Sequence, residues 1–292
     1  IVLLGLMTSF GALVRVTRNP RFPMYVSLLT NVLNALFSGL GIYVFQLGIV
    51  GVALGTVLAR LVGVLILWRE LDLSTIRWSW GLDGELLRLS LPAAGERLMM
   101  RAGDVVIIAI VVVFGTDAVA GNAIGEVLTQ FNYMPAFGVA TATVMLVAHA
   151  VGEGDMQAVG LIRQRAFWLS FACMLPLALG IFALGRPLTL LYTDNSGAIT
   201  ASLSVILFSL LGTPMAVGTV IYTAVWQGLG NARLPFYATT IGMWLIRIIS
   251  GYLLGVTFGL GLPGVWAGTL LDNGFRWLFL KVLYDRKMRE IA

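Results

Sequence analysis

Ionisable side chains lie inside an apolar segment of the chain, residues 91–114. Arg97, Arg101 and Asp104 follow one another at i, i+4 and i+7, so they share one face of a helix. Glu96 directly precedes them. An ionisable residue at the centre of a membrane-spanning helix costs roughly 2.5–3.5 kcal/mol, which makes it a functional candidate. One interpretation is a cation or proton site in which Asp104 or Glu96 exchanges a proton against Arg101, and the other is an internal ion pair.

The next apolar segment carries a stripe of four polar side chains. On a helix of 3.6 residues per turn they fall within about 80° of one face. They are Asn122, Glu126, Gln130 and Tyr133. If the stripe lines a cavity, the Glu126 carboxylate attracts a cationic ligand, and if it faces a neighbouring helix, it forms interhelical hydrogen bonds. We favour the cavity, because a lone carboxylate is poorly suited to holding helices together.

Aromatic and polar side chains share a face in a later segment. This face holds Thr219, Tyr222, Thr223 and Trp226. Tyr222 and Trp226 are candidates for stacking on an aromatic cation in a substrate cavity, and packing in the protein core is the alternative. Near the N-terminus, Asn34 and Ser38 lie one turn apart and are further candidates for the cavity.

The remaining ionisable residues of the apolar segments predict a structural role. Asp272 and Arg276 are one helical turn apart and Arg247 lies in the preceding segment, so we expect structural ion pairs among them. The single histidine, His149, and the single cysteine, Cys173, argue against a zinc cluster, a disulfide framework or a nucleophilic triad within this chain. No catalytic residue, metal site or cofactor is therefore predicted.

The composition predicts that helices in a lipid bilayer position these residues. Hydrophobic residues make up 59% of the chain and charged residues 11%, and the mean hydropathy is +0.92. A soluble domain is roughly 45–50% apolar and about 25% charged. Helices are required because lipid offers no partner for free backbone groups. The predicted spans are Val2–Val14, Pro23–Phe45, Val50–Trp68, Leu91–Phe114, Ala118–Val151, Ala166–Leu184, Ile199–Trp226, Pro235–Phe258 and Leu262–Leu283.

The charge pattern predicts the orientation in the membrane. The net charge is +5 at pH 7, but the basic residues lie in alternate short loops and in the C-terminal tail. This is the distribution of the positive-inside rule, which places the C-terminus in the cytoplasm and argues against nucleic acid as a partner.

One segment of the chain occurs twice. Residues 19–25 (NPRFPMY) correspond to residues 231–237 (NARLPFY), and 38–39 correspond to 250–251 at the same offset. After a one-residue insertion, residues 51–56 (GVALGT) correspond to 264–269 (GVWAGT). Such repeats are typical of two-lobe transporter folds. About three hydrophobic segments precede the second copy but not the first, so we expect a fragment that lacks roughly three N-terminal helices.

The predicted fold is therefore an all-α, polytopic membrane protein, a two-lobe helical bundle with an internal repeat and an incomplete first lobe. The longest polar interval separates the lobes. The predicted parts are the second half of the first lobe, a cytoplasmic linker, a complete six-helix second lobe and a cytoplasmic tail. Their boundaries are residues 1–69, 70–89, 90–284 and 285–292.

Five short motifs, in this order, resemble those of the multidrug and toxic compound extrusion (MATE) transporters. They are residues 91–97 (LPAAGER), 115–120 (GTDAVA), 133–140 (YMPAFGVA), 146–154 (LVAHAVGEG) and 227–235 (QGLGNARLP). Together with the repeat, the resemblance covers essentially the whole chain. It implies twelve helices in two lobes, of which this chain has about helices four to twelve. It also implies a membrane protein that exports cationic or amphipathic compounds in exchange for sodium ions or protons by rocking of the lobes.

The resemblance implies a small drug-like molecule and the bilayer as partners, a monomer, and the inner cell membrane as the location. The first alternative is a flippase for lipid-linked oligosaccharides from the same superfamily, which favours a cavity rich in arginine to hold pyrophosphate. An intramembrane enzyme is the second, but the chain has neither a pair of aspartates in a glycine-rich context nor a His-Glu-x-x-His helix.

The chain departs from the family pattern at three positions. His149 stands where glutamine is usual, and Ala216 lies where family members often have an aspartate. Ser38 replaces the aspartate that archaeal-type members have one turn after an asparagine, here Asn34. Neither the family's second-lobe sodium site nor its first-lobe proton site therefore carries over residue by residue.

Overall fold

The computed structural model describes residues 2–17, 21–71 and 84–291. The chain divides into two compact units, Ile1–Gly81 and Leu82–Ala292. Residues 72–83 of the predicted linker lie outside the described residues, as do residues 19 and 20 of the first repeat motif.

All regular secondary structure in the described ranges is helical, which confirms the predicted all-α fold class. The first unit has three helices, α1 (Val2–Thr17), α2 (Phe22–Tyr43) and α3 (Gly48–Glu70). The second unit contains α4 (Gly84–Val112), α5 (Thr116–Gly152), α6 (Met156–Ala183), α7 (Gly185–Leu190), α8 (Ser196–Gly228), α9 (Arg233–Ile241), α10 (Ile248–Tyr252) and α11 (Gly261–Ile291).

Within the described residues, six helices are long and apolar enough to cross a membrane. They are α2, α3, α5, α6, α8 and the continuous helix Arg233–Thr257 that contains α9 and α10. Three predicted spans fall short of that length or hydropathy: α1 is too short, and α4 and α11 carry charged side chains along their length. Residues 285–291, which belong to the predicted tail, continue α11 as a helix, because residues 285–290 are mostly good helix formers.

The second unit is built around α8. This helix packs against α5, α6 and α11, and more than half of its most apolar window is buried inside the protein. The main hydrophobic core lies where these four helices meet, and it includes Met174, Ile221 and Leu280, all almost fully buried. Helices α4 and α9 also pack on each other, which joins α4 to this bundle.

The sequence repeat is also a repeat in packing. In the first unit, α2 packs along α3, and a methyl group built on Gly55 would lie 3.0 Å from the Oγ of Ser38. In the second unit, a methyl group built on Gly268 of α11 would lie 2.8 Å from the Oγ of Ser250 in α10. The equivalent serine and glycine therefore form the same close approach between helices in both copies, which only a residue without Cβ permits.

Two π-helical segments flank α10. They are Gly242–Arg247 and Leu253–Thr257, so the helix Arg233–Thr257 changes from α to π geometry twice. A π-turn accommodates one additional residue and rotates the side chains that follow it relative to an α-helix. Arg247 ends the first of these segments, which turns its side chain toward α4 and α11.

Candidate functional site

A cavity of about 410 Å³ opens inside the second unit, bordered by α4, α5, α8 and α11. Its charged side chains are Glu96, Arg97, Arg101, Asp104 and Arg276. Polar side chains of α5 and α8 complete the wall, and they are Thr141, Thr219, Thr223 and Gln227. The cavity therefore combines two carboxylates, three guanidinium groups and neutral hydrogen-bonding groups within a bundle of otherwise apolar helices.

The four charged residues that sequence spacing placed on α4 all line this cavity. Asp104 is held between two arginines, with 3.6 Å to an Nη of Arg101 and 3.5 Å to an Nη of Arg247. Arg101 is 84% exposed, whereas Arg247 is only 12% exposed and also donates a hydrogen bond to the Oγ1 of Thr269 at 3.0 Å. Of the two arginines that contact Asp104, Arg247 is therefore the more tightly held.

Glu96 has a different environment from Asp104. Its carboxylate accepts a hydrogen bond from the Oγ1 of Thr239 at 3.3 Å, and within the described residues it forms no ion pair. Arg97 and Arg276 lie near enough to stabilise its charge. Glu96 is thus the half-buried carboxylate of the cavity that has no direct basic partner, and it can bind a proton or a cation without first breaking a salt bridge.

Arg276 and Asp272 form a buried ion pair on α11. Asp272 is fully buried and Arg276 is 4% exposed, and two hydrogen bonds join the guanidinium to the two carboxylate oxygens. Arg276 also contacts the sulfur of Met100 at 3.8 Å and borders the cavity. The predicted pairing of these two residues is present, but Arg247 pairs with Asp104 of α4 rather than with Asp272.

The polar stripe of α5 lies outside this cavity. Asn122 is buried, donates a hydrogen bond to Glu126 at 3.1 Å and accepts one from the indole of Trp266 at 2.9 Å. Gln130 is exposed, and the ring of Tyr133 stacks on Phe137 with 6.4 Å between centroids. The exposed Glu126 is therefore anchored through Asn122 to α11, and it does not share a cavity with Asp104.

The aromatic residues of α8 are part of the core. Tyr222 is 2% exposed and accepts a hydrogen bond from Arg163 at 2.7 Å. Trp226 is 2% exposed and donates to the carbonyl of Leu280 at 3.1 Å. The residues of the predicted face of α8 have two different environments. Tyr222 and Trp226 point toward α6 and α11, whereas Thr219 and Thr223 line the cavity.

Asn34 and Ser38 belong to the first unit. Ser38 donates a hydrogen bond to Asn34 at 3.2 Å, and the Asn34 amide donates to the Oγ1 of Thr56 in α3 at 3.3 Å. These side chains link α2 to α3. Among the described residues, no group of three His, Cys, Asp or Glu side chains is placed to hold a metal ion.

The sequence placed Thr219 and Thr223 on one face of α8, whereas it did not select Thr141 and Gln227, the other two neutral hydrogen-bonding groups in the wall of the cavity. Thr219 donates to the backbone carbonyl of Asn273 at 2.9 Å and so joins α8 to α11. Thr141 and Gln227 have no unusual spacing in the sequence, and only the packing of α5 and α8 brings them to the cavity.

The MatE family model matches residues 92–253, which is more than half of the chain and includes all of α5, α6 and α8. The chain belongs to the MatE family. It is accordingly a multi-pass membrane protein from a family of transporters rather than of enzymes, as the sequence motifs predicted.

Two bacterial relatives match this MatE protein along almost its whole length. The probable multidrug resistance protein NorM of Thermotoga maritima is 31% identical, over 96% of this chain and 63% of the relative. The uncharacterized transporter YisQ of Bacillus subtilis is 24% identical, over 94% of this chain and 64% of the relative. The chain thus spans less than two thirds of the length of these curated relatives.

Solved structures show the same fold at low sequence identity. A crystal structure of MATE in complex with MaL6 matches 99% of this MatE chain with a TM-score of 0.87 and 19% identity. An outward-facing multidrug resistance MATE transporter of the MOP superfamily matches 96% with a TM-score of 0.86 and 20% identity. This chain covers 67% and 66% of those two chains.

Proposed function

We propose that the protein is a secondary active antiporter that exports cationic or amphipathic small molecules in exchange for sodium ions or protons. The names of its relatives, such as the probable multidrug resistance protein of Thermotoga maritima, support a drug-like cargo. The observation that carries the proposal is the half-buried Glu96 carboxylate, which faces the cavity with neutral hydrogen-bond partners, Thr239 and Gln227, and no ion pair to any residue that the structure describes.

Glu96 is the proposed coupling group. A carboxylate inside a membrane bundle is costly and marks an ion or substrate site by default. When Glu96 is ionised, it attracts a cation into the cavity, and when a proton or a sodium ion occupies it, that attraction is lost. Cargo and coupling ion thus compete for one carboxylate, which is the simplest way in which one can be exchanged for the other.

Asp104 has the proposed role of holding the charged wall together. Because two arginines already contact its carboxylate, a cation must displace at least one of them to bind there. The working protein is proposed to be a monomer in the inner cell membrane with its C-terminus in the cytoplasm, because the basic loops follow the positive-inside pattern.

The test is exchange by the full-length protein in liposomes. A proton gradient and a sodium gradient are imposed separately, and release of a fluorescent aromatic cation is followed. We expect one of the two gradients to drive transport and Glu96→Gln to abolish it without loss of folded protein. If neither gradient drives transport, the antiporter proposal fails.

Glu126→Gln is the matched comparison, since it also removes a membrane carboxylate but lies on α5 outside the cavity. It is expected to retain more exchange than Glu96→Gln. The opposite result, loss of exchange in Glu126→Gln with wild-type rates in Glu96→Gln, would assign coupling to the α5 stripe.

A second candidate is transport of an anionic lipid-linked sugar. Three arginines line the cavity on two helices, Arg97, Arg101 and Arg276, and guanidinium groups are suited to phosphate. One of them, Arg276, is already neutralised by Asp272, which favours the cation exporter. Competition experiments decide between the two, because pyrophosphate-bearing lipids inhibit transport of the fluorescent cation only if they occupy the same cavity.

A further inference from the structure

A second cavity lies between the start of α6 and the end of α11, apart from the site described above. Its volume is about 710 Å³. Its wall combines the apolar side chains of Met156 and Met288 with polar ones, and the remaining lining residues are Gln157, Gly160 and Arg163 from α6 and Tyr284, Asp285 and Arg289 from α11. This groove occupies the basic end of the two helices, which the charge pattern of the loops places at the cytoplasmic surface of the membrane.

Arg163 is fixed at the centre of this groove. Its guanidinium lies over the ring of Tyr222 at 5.6 Å and over the ring of Tyr284 at 5.2 Å from the centroids. It also donates a hydrogen bond to the hydroxyl of Tyr222 at 2.7 Å. Two aromatic faces and one hydrogen bond hold the cation in a single orientation, so it is positioned before any ligand arrives.

Two buried polar groups in the groove have no protein partner. The Nε of Arg163 and the hydroxyl of Tyr284 are both inaccessible, and neither forms a hydrogen bond with any residue that the structure describes. A buried polar group left without a partner is destabilising, and native proteins normally pair such groups. Tyr284 is only 3% exposed and its hydroxyl lies against the Arg163 guanidinium at the wall of the groove, so a ligand reaches it only if the surrounding side chains move.

An aromatic surface continues from the other side of Arg163. A smaller cavity of about 150 Å³ is lined there by Phe167, Trp168, Trp277 and Lys281. Phe167 stacks on Trp277 with 5.9 Å between centroids, and the ring of Trp168 stands edge-on to Phe167 at 5.7 Å. Trp168 is 59% exposed. Exposed indole rings next to basic side chains are typical of the membrane–water interface, where apolar chains and charged head groups meet.

We propose that this groove binds the head group of an anionic phospholipid whose head group carries hydroxyls. Arg163 and Arg289 bring two positive charges and Asp285 one negative charge, which matches a phosphodiester of charge −1. The phosphate oxygens accept hydrogen bonds from the guanidinium groups, and a head-group hydroxyl donates to Asp285. The acyl chains then lie along the aromatic surface formed by Phe167, Trp168 and Trp277.

Gly160 supplies the room for this head group. A methyl group built at Gly160 meets only the hydroxyl of Tyr284, at 4.0 Å, which is ordinary van der Waals contact. A larger side chain at this position extends into the groove without displacing the backbone of α11. Gly160→Leu is therefore a variant that narrows the groove beside Tyr284 while keeping every charge in place.

The test is the affinity of the full-length protein for phosphatidylglycerol. The protein is purified in a neutral detergent, stripped of lipid and titrated with phosphatidylglycerol or phosphatidylcholine, and the bound lipid is counted by native mass spectrometry. Arg289→Gln removes one guanidinium of the groove. Arg286→Gln removes the same charge three residues earlier on α11, outside the groove, and is the matched control.

We expect at least one phosphatidylglycerol to bind wild type more tightly than phosphatidylcholine. Arg289→Gln and Gly160→Leu are expected to weaken it about tenfold or more, because a charge-assisted hydrogen bond or the space for the ligand is lost. Arg286→Gln is expected to leave it unchanged. Equal weakening by Arg286→Gln would reduce the effect to general attraction by a basic surface and overturn the proposal.

A competition experiment with inorganic phosphate distinguishes a lipid site from a site for a free anion. If the groove is a site for a free anion, millimolar phosphate displaces the lipid and occupies the groove in its absence, which overturns a lipid site. If the lipid is required, phosphate at this concentration leaves phosphatidylglycerol bound. Wild-type affinity in Gly160→Leu would also overturn the proposal, because that variant places a bulky side chain where the head group is proposed to lie.

Discussion

Asp272 and Arg276 show at the scale of a residue how this protein tolerates charge in a bundle of apolar helices. Both side chains are nearly inaccessible, and each satisfies the other through two hydrogen bonds. A Cβ on the facing residue, Gly242, would collide with the Asp272 carboxylate and the Arg276 side chain. The pair therefore depends on the absence of a side chain at that position of the neighbouring helix.

Asp272→Asn is expected to destabilise the protein strongly. The substitution leaves the Arg276 guanidinium buried without a counter-charge, and breaking such a pair from one side typically costs about 3–5 kcal/mol. The measurement is the thermal midpoint of the purified protein in detergent, followed by the loss of monodisperse material after heating. Asp194→Asn, at an exposed position between α7 and α8, is the control. Equal midpoints for the two variants would contradict a structural role of the pair.

Residue spacing predicted some of these contacts and not others. The i, i+4 and i+7 pattern of α4 does bring Arg97, Arg101 and Asp104 to one cavity, since all three belong to one helix. Spacing was not sufficient for Arg247, whose partner Asp104 is 143 residues away in the chain. Local periodicity fixes which residues share a face, but the choice of facing helix depends on packing of the whole bundle.

The same limit explains the divided face of α8. Tyr222 and Trp226 were placed with two threonines on one face, and helical geometry alone allows this. Several helices surround α8, however, among them α5, α6 and α11, so a face about 100° wide borders more than one of them. The large rings contact α6 and α11, where Arg163 and the Leu280 carbonyl satisfy their polar groups, and the small threonines remain at the cavity.

At the scale of elements, the two helix pairs of the repeat are expected to share a sensitivity to side-chain size. A methyl group on Gly268 would lie within 3.0 Å of the α10 backbone and of Ser250, so Gly268→Ala must force the helices apart. Overpacking of this kind typically costs about 1–3 kcal/mol. The loss is measured as a lower thermal midpoint in the same detergent.

Gly138→Ala on α5 is the matched control for Gly268→Ala. No atom lies within 4 Å of a methyl group built there, and alanine is the better helix former, so this variant should be neutral or slightly stabilising. Midpoints that move equally in both variants would mean that α10 and α11 can separate at no cost.

The membrane orientation belongs to the scale of the whole molecule. Charge asymmetry of the loops predicts that residues near the end of α11 face the cytoplasm and that the connection between α7 and α8 faces outward. Because Cys173 is the only cysteine, Cys173→Ser gives a background for single reporters. Glu290→Cys should react with a membrane-impermeant thiol reagent only after permeabilisation, and Asp194→Cys should react in intact cells. The reverse pattern would invert the proposed topology.

The helix that contains both π-helical segments differs from its counterpart in the first copy of the repeat. In the second copy one additional residue lies between Gly251 and Gly264, and the segment Leu253–Thr257 falls within that interval. The corresponding helix of the first copy, α2, is α-helical throughout. The loop that follows this helix, residues 258–260, is shorter than the corresponding loop of the first copy, residues 44–47. The additional residue is therefore accommodated in the π-helical turn and not in a longer loop.

A π-helical turn makes a helix easier to bend at that point, because its hydrogen bonds do not follow the regular α-helical pattern. We expect the amides of residues 253–257 to exchange with deuterium faster than those at the end of α2. Equal protection would show that the turn is as stiff as its surroundings. If only the second copy of the repeat contains such a turn, that copy can bend while the first copy keeps its shape. Bending of the second copy would move Arg247 together with its partner Asp104.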